Sequence, residues 1–117
     1  MILGVGIDVT SVNRFAEALE RTPALAERVL VASERTMPMH SLAGRFAAKE
    51  ALAKALGAPG DLAWHDAVVV TTPAGQPQWE LSGTVAARMT ALGATTAHLS
   101  ISHDAGIATA IVIVEGP

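Results

Sequence analysis

Residues 2–9 read Ile2-Leu3-Gly4-Val5-Gly6-Ile7-Asp8-Val9. Leu3, Val5, Ile7 and Val9 alternate with Gly4, Gly6 and Asp8, the period-two pattern of a strand with one apolar face. The other face is bare at both glycines, which permits close approach of another backbone or of a ligand. That face also carries a carboxylate, Asp8, near the strand's C-terminal end. A carboxylate there is costly unless paired or metal-bound, although an exposed one at a strand-to-helix junction is an ordinary cap. Working outward, Thr10 or Ser11 can cap a helix that runs to Arg21 and stops before Pro23. A short second helix is expected over 23–32. Met37-Pro38 interrupts the chain, and Ser41 offers a cap for the longest helix, Leu42 to Leu56, ended by Gly57. Ala67–Thr71 and Gln78–Leu81 read as strands joined by a Pro-Ala-Gly-Gln-Pro turn. Ser82 can cap a helix over Gly83–Leu92, with Gly93 as its stop. His98–Ser102 and Ile107–Val114 read as a hairpin turning at His103-Asp104-Ala105-Gly106. The order β-α-α-α-β-β-α-β-β implies an α+β fold, a largely antiparallel sheet packed with a long helix, in one domain over residues 1–117.

The composition excludes several function classes. The chain has no cysteine, which removes a disulfide framework, a cysteine-ligated zinc, an iron–sulfur cluster and a thiol nucleophile. No stretch approaches ~20 uninterrupted apolar residues, so no membrane span is expected. The N-terminus lacks a basic leader and carries Asp8, so it does not read as a signal peptide, and the expected compartment is the cytoplasm. Aromatic residues make up 3% of the chain, so the core must be Val, Ile, Leu and Ala. A lean core of this kind favours oligomerisation, since a partner buries what the chain alone cannot.

The net charge of −3 argues against a general nucleic-acid binder. Seven of the eight cations lie between Arg14 and Lys54 with five acids, so that segment is net basic and the rest of the chain acidic. A basic strip on an acidic protein suits phosphate groups or an acidic partner protein. It is also what a solvated helix face laced with pairs such as Arg14–Glu17 looks like.

Three clusters carry chemical potential. Asp8 is the first. The second is Arg45-Phe46-Ala47-Ala48-Lys49-Glu50-Ala51-Leu52-Ala53-Lys54. Arg45 and Lys49 lie about 40° apart on one helix face, as do Glu50 and Lys54 on another. Like charges one turn apart repel, but they make a sensible phosphate clamp. Glu50–Lys54 reads either as an ordinary ion pair or as a metal-ligating carboxylate beside a phosphate-steadying cation. The third is His98-Leu99-Ser100-Ile101-Ser102-His103-Asp104, where His103 shares the face of Leu99 and Ile101. His98 and His103 point to opposite faces, and His40 and His65 fit no ligand spacing, which argues against zinc. No G-x-S-x-G elbow and no G-x-x-x-x-G-K-[ST] loop is present. Two hard carboxylates, a cluster of cations and a bare glycine face suit Mg²⁺ and a pyrophosphate.

Taken together, Gly6-Ile7-Asp8-Val9 with Asn13-Arg14-Phe15, then Arg45-Phe46-Ala47-Ala48-Lys49-Glu50-Ala51 with Lys54-Ala55, then Ser100-Ile101-Ser102-His103-Asp104 resemble the holo-acyl-carrier-protein synthase family. These are the short bacterial type of 4′-phosphopantetheinyl transferases, and the motifs span nearly the whole chain. The resemblance implies transfer of 4′-phosphopantetheine from coenzyme A to a serine of an acyl carrier protein, in fatty acid or polyketide biosynthesis. It implies a homotrimer with active sites between protomers. It assigns Mg²⁺ to Asp8 and Glu50. Lys54 and Lys49 become candidates for charge neutralisation on coenzyme A, and Arg45 and His103 for contacts to its phosphates across the subunit boundary. Glu50, a metal-bound water, or His103 with Asp104 could take the serine proton. The segment Glu34–Leu42 is shorter than in many members, which can remove substrate contacts made there. Arg14 and Arg21, two turns apart and about 20° from one another around their helix, form a face expected to dock the acidic carrier. The competing classes are a coenzyme A-binding module without turnover and a different Mg²⁺-dependent phosphotransferase.

Overall fold

The computed structural model describes residues 1–117. β1 (Ile2–Ser11), β4 (Thr96–Asp104) and β5 (Ile107–Glu115) form an antiparallel sheet in the order β1-β5-β4. β2 (Ala67–Thr71) and β3 (Pro77–Leu81) form a separate antiparallel ribbon. The helices are α1 (Val12–Arg21), α2 (Ala24–Val29), α3 (Ala32–Arg35), α4 (Met39–Ala55) and α5 (Gly83–Ala91), so the fold is α+β as expected. No helix is long and apolar enough to cross a membrane.

The packing of α4 on the sheet positions everything else. Ala108, Ala110, Val112 and Val114 of β5 are buried beneath it, together with Ala47, Ala48, Ala51, Leu52 and Ala55 of the helix itself. Gly6 pairs with Val112 and Gly4 with Val114, so both glycines face the helix. A Cβ at Gly6 would overlap the Ala51 carbonyl oxygen, and one at Gly4 would overlap that of Ala55. The bare face is therefore filled by helix backbone, and the ligand reading of the glycines does not hold. Asp8 lies on the same face two residues beyond Gly6, paired with Ala110. The strand alternation that buries the glycines thus brings Asp8 beside α4.

Three local expectations change. The chain over 23–32 is not one helix. α2 stops at Val29, Leu30 is extended (φ −126°, ψ 137°) and wholly buried, and a separate turn, α3, follows. The Glu34 carboxylate accepts from the Val31 N–H at 3.1 Å, and Arg35 Nη1 donates to the Leu30 carbonyl at 2.8 Å, which fixes that break. α4 begins at Met39, because the Pro38 carbonyl already accepts from the N–H groups of Ser41 and Leu42, at 2.9 and 3.0 Å. Ser41 is inside the helix and not its cap. Ser82 makes no side-chain cap on α5. Asp66 does so from a distance: its Oδ2 accepts from the Thr84 N–H and from the Thr84 hydroxyl, both at 2.7 Å.

The other face of the sheet is open. Val5, Ile7 and Val9 of β1 are 56%, 58% and 62% exposed, and Ile107 and Ile111 of β5 lie exposed beside them.

Candidate active site

Asp8, Glu50 and Lys54 meet where β1 passes the C-terminal half of α4. Lys54 Nζ lies 3.3 Å from Asp8 Oδ1 and donates to the Ile7 carbonyl at 3.0 Å. The Thr10 hydroxyl donates to Asp8 Oδ2 at 3.1 Å. Lys54 is thus paired across to the strand, not along its own helix to Glu50. Glu50 is half-buried, and its carboxyl pKa is raised above the ordinary carboxylate range, first by burial and then by the charge of Asp8, with Lys54 opposing. Two carboxylates with one cation between helix and strand leave a local excess of negative charge.

Glu50 also forms part of the wall of a mainly apolar cavity of about 290 Å³, with Ala53, Pro59, Gly60, Leu62 and Trp64. The loop on its rim leaves α4 through two left-handed residues, Gly57 (φ 85°) and Ala58 (φ 47°). Ala58 is held in that strained conformation by its N–H, which donates to the Ala53 carbonyl at 2.8 Å.

Lys49 does not join this group. Its ammonium donates to Glu34 Oε1 at 2.7 Å, to the Val29 carbonyl at 2.7 Å and to the Trp64 carbonyl at 3.4 Å. All three protons are used and the side chain is 2% exposed, so the expectation of a phosphate ligand is corrected to a buried structural cation. Glu34 is equally engaged, because its Oε2 accepts from the Val69 N–H at 3.1 Å. Burial lowers the Lys49 pKa, with Glu34 opposing. Sequence reasoning missed Glu34 as the partner. The signal was a lysine sharing a helix face with Leu52 and Leu56, a place that demands a buried counter-ion.

Arg45 lies about 140° around α4 from Glu50. Its Nη2 donates to the Thr71 hydroxyl at 3.3 Å, and its Nε is buried with no partner. Burial lowers its pKa, with Glu34 again opposing. One carboxylate therefore serves two buried cations, which leaves Arg45 with unmet capacity for an anion.

His103 and Asp104 sit at the end of β4, on the far edge of the sheet from Asp8. His103 is paired with Ala108, whereas Asp8 is paired with Ala110. They line a different cleft, with Asn13 and His40. The strand runs on through His103 and Asp104, so the hairpin turns at Ala105-Gly106 and not from His103. Within one chain, then, the expected site is divided: Asp8, Glu50 and Lys54 on one side, Arg45 and the His103–Asp104 end of β4 on others. Arg14 and Arg21 are exposed on α1, and neither is ion-paired, so the Arg14–Glu17 pair does not form.

Comparisons with known proteins agree with the motifs. Residues 4–111 match the family model of the 4′-phosphopantetheinyl transferase superfamily. A holo-[acyl-carrier-protein] synthase of Streptomyces griseus subsp. griseus is 60% identical over 122 residues, covering 99% of this chain and 100% of that protein. The Helicobacter pylori holo-[acyl-carrier-protein] synthase, solved in complex with coenzyme A, superposes with a TM-score of 0.84 at 34% identity, over 95% of this chain and 99% of that one. The Chronobacterium ammoniagenes ACPS–CoA complex superposes with a TM-score of 0.85 at 31% identity, over 97% of both chains.

Proposed function

Because the chain belongs to the 4′-phosphopantetheinyl transferase superfamily, as a holo-[acyl-carrier-protein] synthase, we propose that its residues 1–117 act as one domain that moves 4′-phosphopantetheine from coenzyme A to a serine of an apo-acyl carrier protein. The serine Oγ forms a bond to the phosphorus attached to pantetheine. The bond from that phosphorus to the bridging oxygen of the pyrophosphate breaks, and adenosine 3′,5′-bisphosphate leaves with the electron pair. The observation that carries this reading is the Asp8–Lys54 pair facing an unpaired, half-buried Glu50.

Asp8 and Glu50 fit Mg²⁺. They are hard oxygen donors, and the repulsion that raises the Glu50 pKa is what a divalent cation between them relieves. No third His, Cys, Asp or Glu joins them, so water and substrate oxygens would complete the coordination, as Mg²⁺ favours. When bound, the ion supplies charge neutralisation on the pyrophosphate. Lys54 holds Asp8 in place and adds positive charge beside the leaving phosphate. Glu50 and a neighbouring copy's His103 and Asp104 are the groups available for the serine proton.

The divided site is completed by a homotrimer in this reading. The open apolar face of β1 and β5 supports it, since exposed apolar area of this extent marks an interaction surface. Arg45, with its unpartnered Nε, and His103 then serve the coenzyme A phosphates of an adjacent copy. Light scattering should give about three times the 12.0 kDa chain mass. Ile7→Glu should give inactive monomers, because a buried unpaired charge opposes association. An active wild-type monomer would remove the shared-site reading.

The exposed, unpaired Arg14 and Arg21 are the docking face for the acidic carrier. Arg14→Glu should raise the KM for carrier several-fold at low salt, with little change in the KM for coenzyme A or in Tm. An unchanged carrier KM would place docking elsewhere. Coenzyme A as co-substrate fits a cytoplasmic enzyme.

The direct test is the mass of an apo-carrier incubated with the chain, coenzyme A and Mg²⁺. A gain of one phosphopantetheinyl group is expected, lost in EDTA. A coenzyme A-binding module without turnover would leave the carrier mass unchanged.

A further inference from the structure

The chain has four histidines. Two have a ring nitrogen engaged: His65 Nε2 lies 2.6 Å from the Glu27 carbonyl, and His98 Nε2 lies 3.0 Å from Glu115 Oε1. The ring nitrogens of His40 and His103 make no hydrogen bond, yet the two rings meet at 4.5 Å between centroids with 45° between planes. They come from different elements, the first turn of α4 and the end of β4, and both are exposed in one cleft of about 370 Å³ with Asn13 and Asp104.

We propose that His40 and His103 form a two-histidine site for a late first-row divalent ion, Ni²⁺ or Cu²⁺, separate from the Asp8–Glu50 pair. The donor chemistry separates the two. Imidazole suits these ions, while paired carboxylates suit Mg²⁺. The separation of the rings is compatible with chelation by one nitrogen from each. With a metal–nitrogen bond of about 2.1 Å, each ring centre stands about 3.2 Å from the ion. Centroids 4.5 Å apart then subtend an angle of about 90° at the ion. That is the angle between adjacent ligands in octahedral or tetragonal coordination, the preference of Ni²⁺ and Cu²⁺. Within one chain no third His, Cys, Asp or Glu joins the pair, so water would complete the coordination. An ion held there occupies the His103 imidazole. Resting on the function proposed above, this makes such ions inhibitors of an enzyme that Mg²⁺ activates.

The test uses Ni²⁺ and the EDTA-stripped, assembled enzyme in saturating Mg²⁺. Calorimetry should show one Ni²⁺ per chain. His40→Ala and His40→Phe should each weaken binding on the order of tenfold or more, since each removes a direct ligand. His40→Phe keeps the ring contact, so an equal loss in both variants shows that the nitrogen matters and the packing does not. His98→Ala should bind as the wild type. In carrier modification, His40→Ala should keep the wild-type rate without Ni²⁺ and need on the order of tenfold more Ni²⁺ for half-inhibition. Equal Ni²⁺ affinity in the wild type and both His40 variants would overturn the proposal. So would loss of Ni²⁺ binding in Asp8→Ala, which would place the ion at the carboxylates. Failure of carrier modification altogether would count against the proposed function while leaving the calorimetry to decide the metal site.

Discussion

Glu50→Gln should cost carrier modification on the order of 10³-fold or more and at the same time raise the melting temperature. The loss follows from removing one of two metal-binding carboxylates where phosphate charge is neutralised. The gain follows from the sign of the pKa shift. Burial and Asp8 raise the Glu50 pKa, so the folded state favours the protonated carboxyl. The stability tied to that preference is full below the unfolded pKa and is lost as pH rises through the folded one. Once the pH passes the folded pKa, the wild type without metal carries a half-buried carboxylate facing Asp8, and the glutamine variant does not. The Tm difference between variant and wild type should therefore be small near pH 4 and widen toward pH 7. Added Mg²⁺ should raise the wild-type Tm, because a ligand that binds only the folded state stabilises it, and should leave the variant's nearly unchanged. Thermal melts over that pH range, with carrier mass spectrometry alongside, check both halves. Wild-type turnover in Glu50→Gln would remove Glu50 from the reaction.

Lys49→Met should destabilise the fold by about 3–5 kcal/mol, the cost of leaving a buried carboxylate without the cation hydrogen-bonded to it. Glu34 would keep the N–H groups of Val31 and Val69 but lose the ammonium at 2.7 Å. The double variant Glu34→Gln/Lys49→Met should recover only part of that loss. Glutamine removes the charge that needed neutralising and keeps one oxygen acceptor, but its NH2 group faces the second of the two N–H groups, which loses its acceptor. Urea denaturation of both single variants and the double variant gives the coupling as a cycle. The KM for coenzyme A in folded Lys49→Met should stay close to that of the wild type. A stable variant with a much higher coenzyme A KM would restore Lys49 as a phosphate ligand.

The strands and the long helix were legible because their signals are local. Alternation over Ile2–Val9 and the Ala-rich run ending at Gly57 follow from residue periodicity and from the left-handed turn that glycine accepts. The glycines at 4 and 6 declared a close approach, but the pattern on one strand does not say whether helix or ligand makes it. Cap residues were the weakest reading. Pro38 and Asp66 win over Ser41 and Ser82 through carbonyl and carboxylate groups whose partners are set by chain path and not by the nearest hydroxyl.

The candidate site divides along the same line. The sequence by itself determined the fold class and the family, since the motifs Gly6-Ile7-Asp8, Arg45 to Ala51 and Ser100 to Asp104 are contiguous runs. It could not sort the two lysines, because helix periodicity gives only their separation around the axis. Lys49 and Lys54 lie about 140° apart around α4. Only the tertiary structure decided that the first direction meets the buried Glu34 carboxylate and the second meets Asp8 at the edge of β1. The charge of a lysine is written in the sequence; its role depends on what the packed chain places within hydrogen-bond reach, and here that partner is 15 residues away for one and 46 for the other.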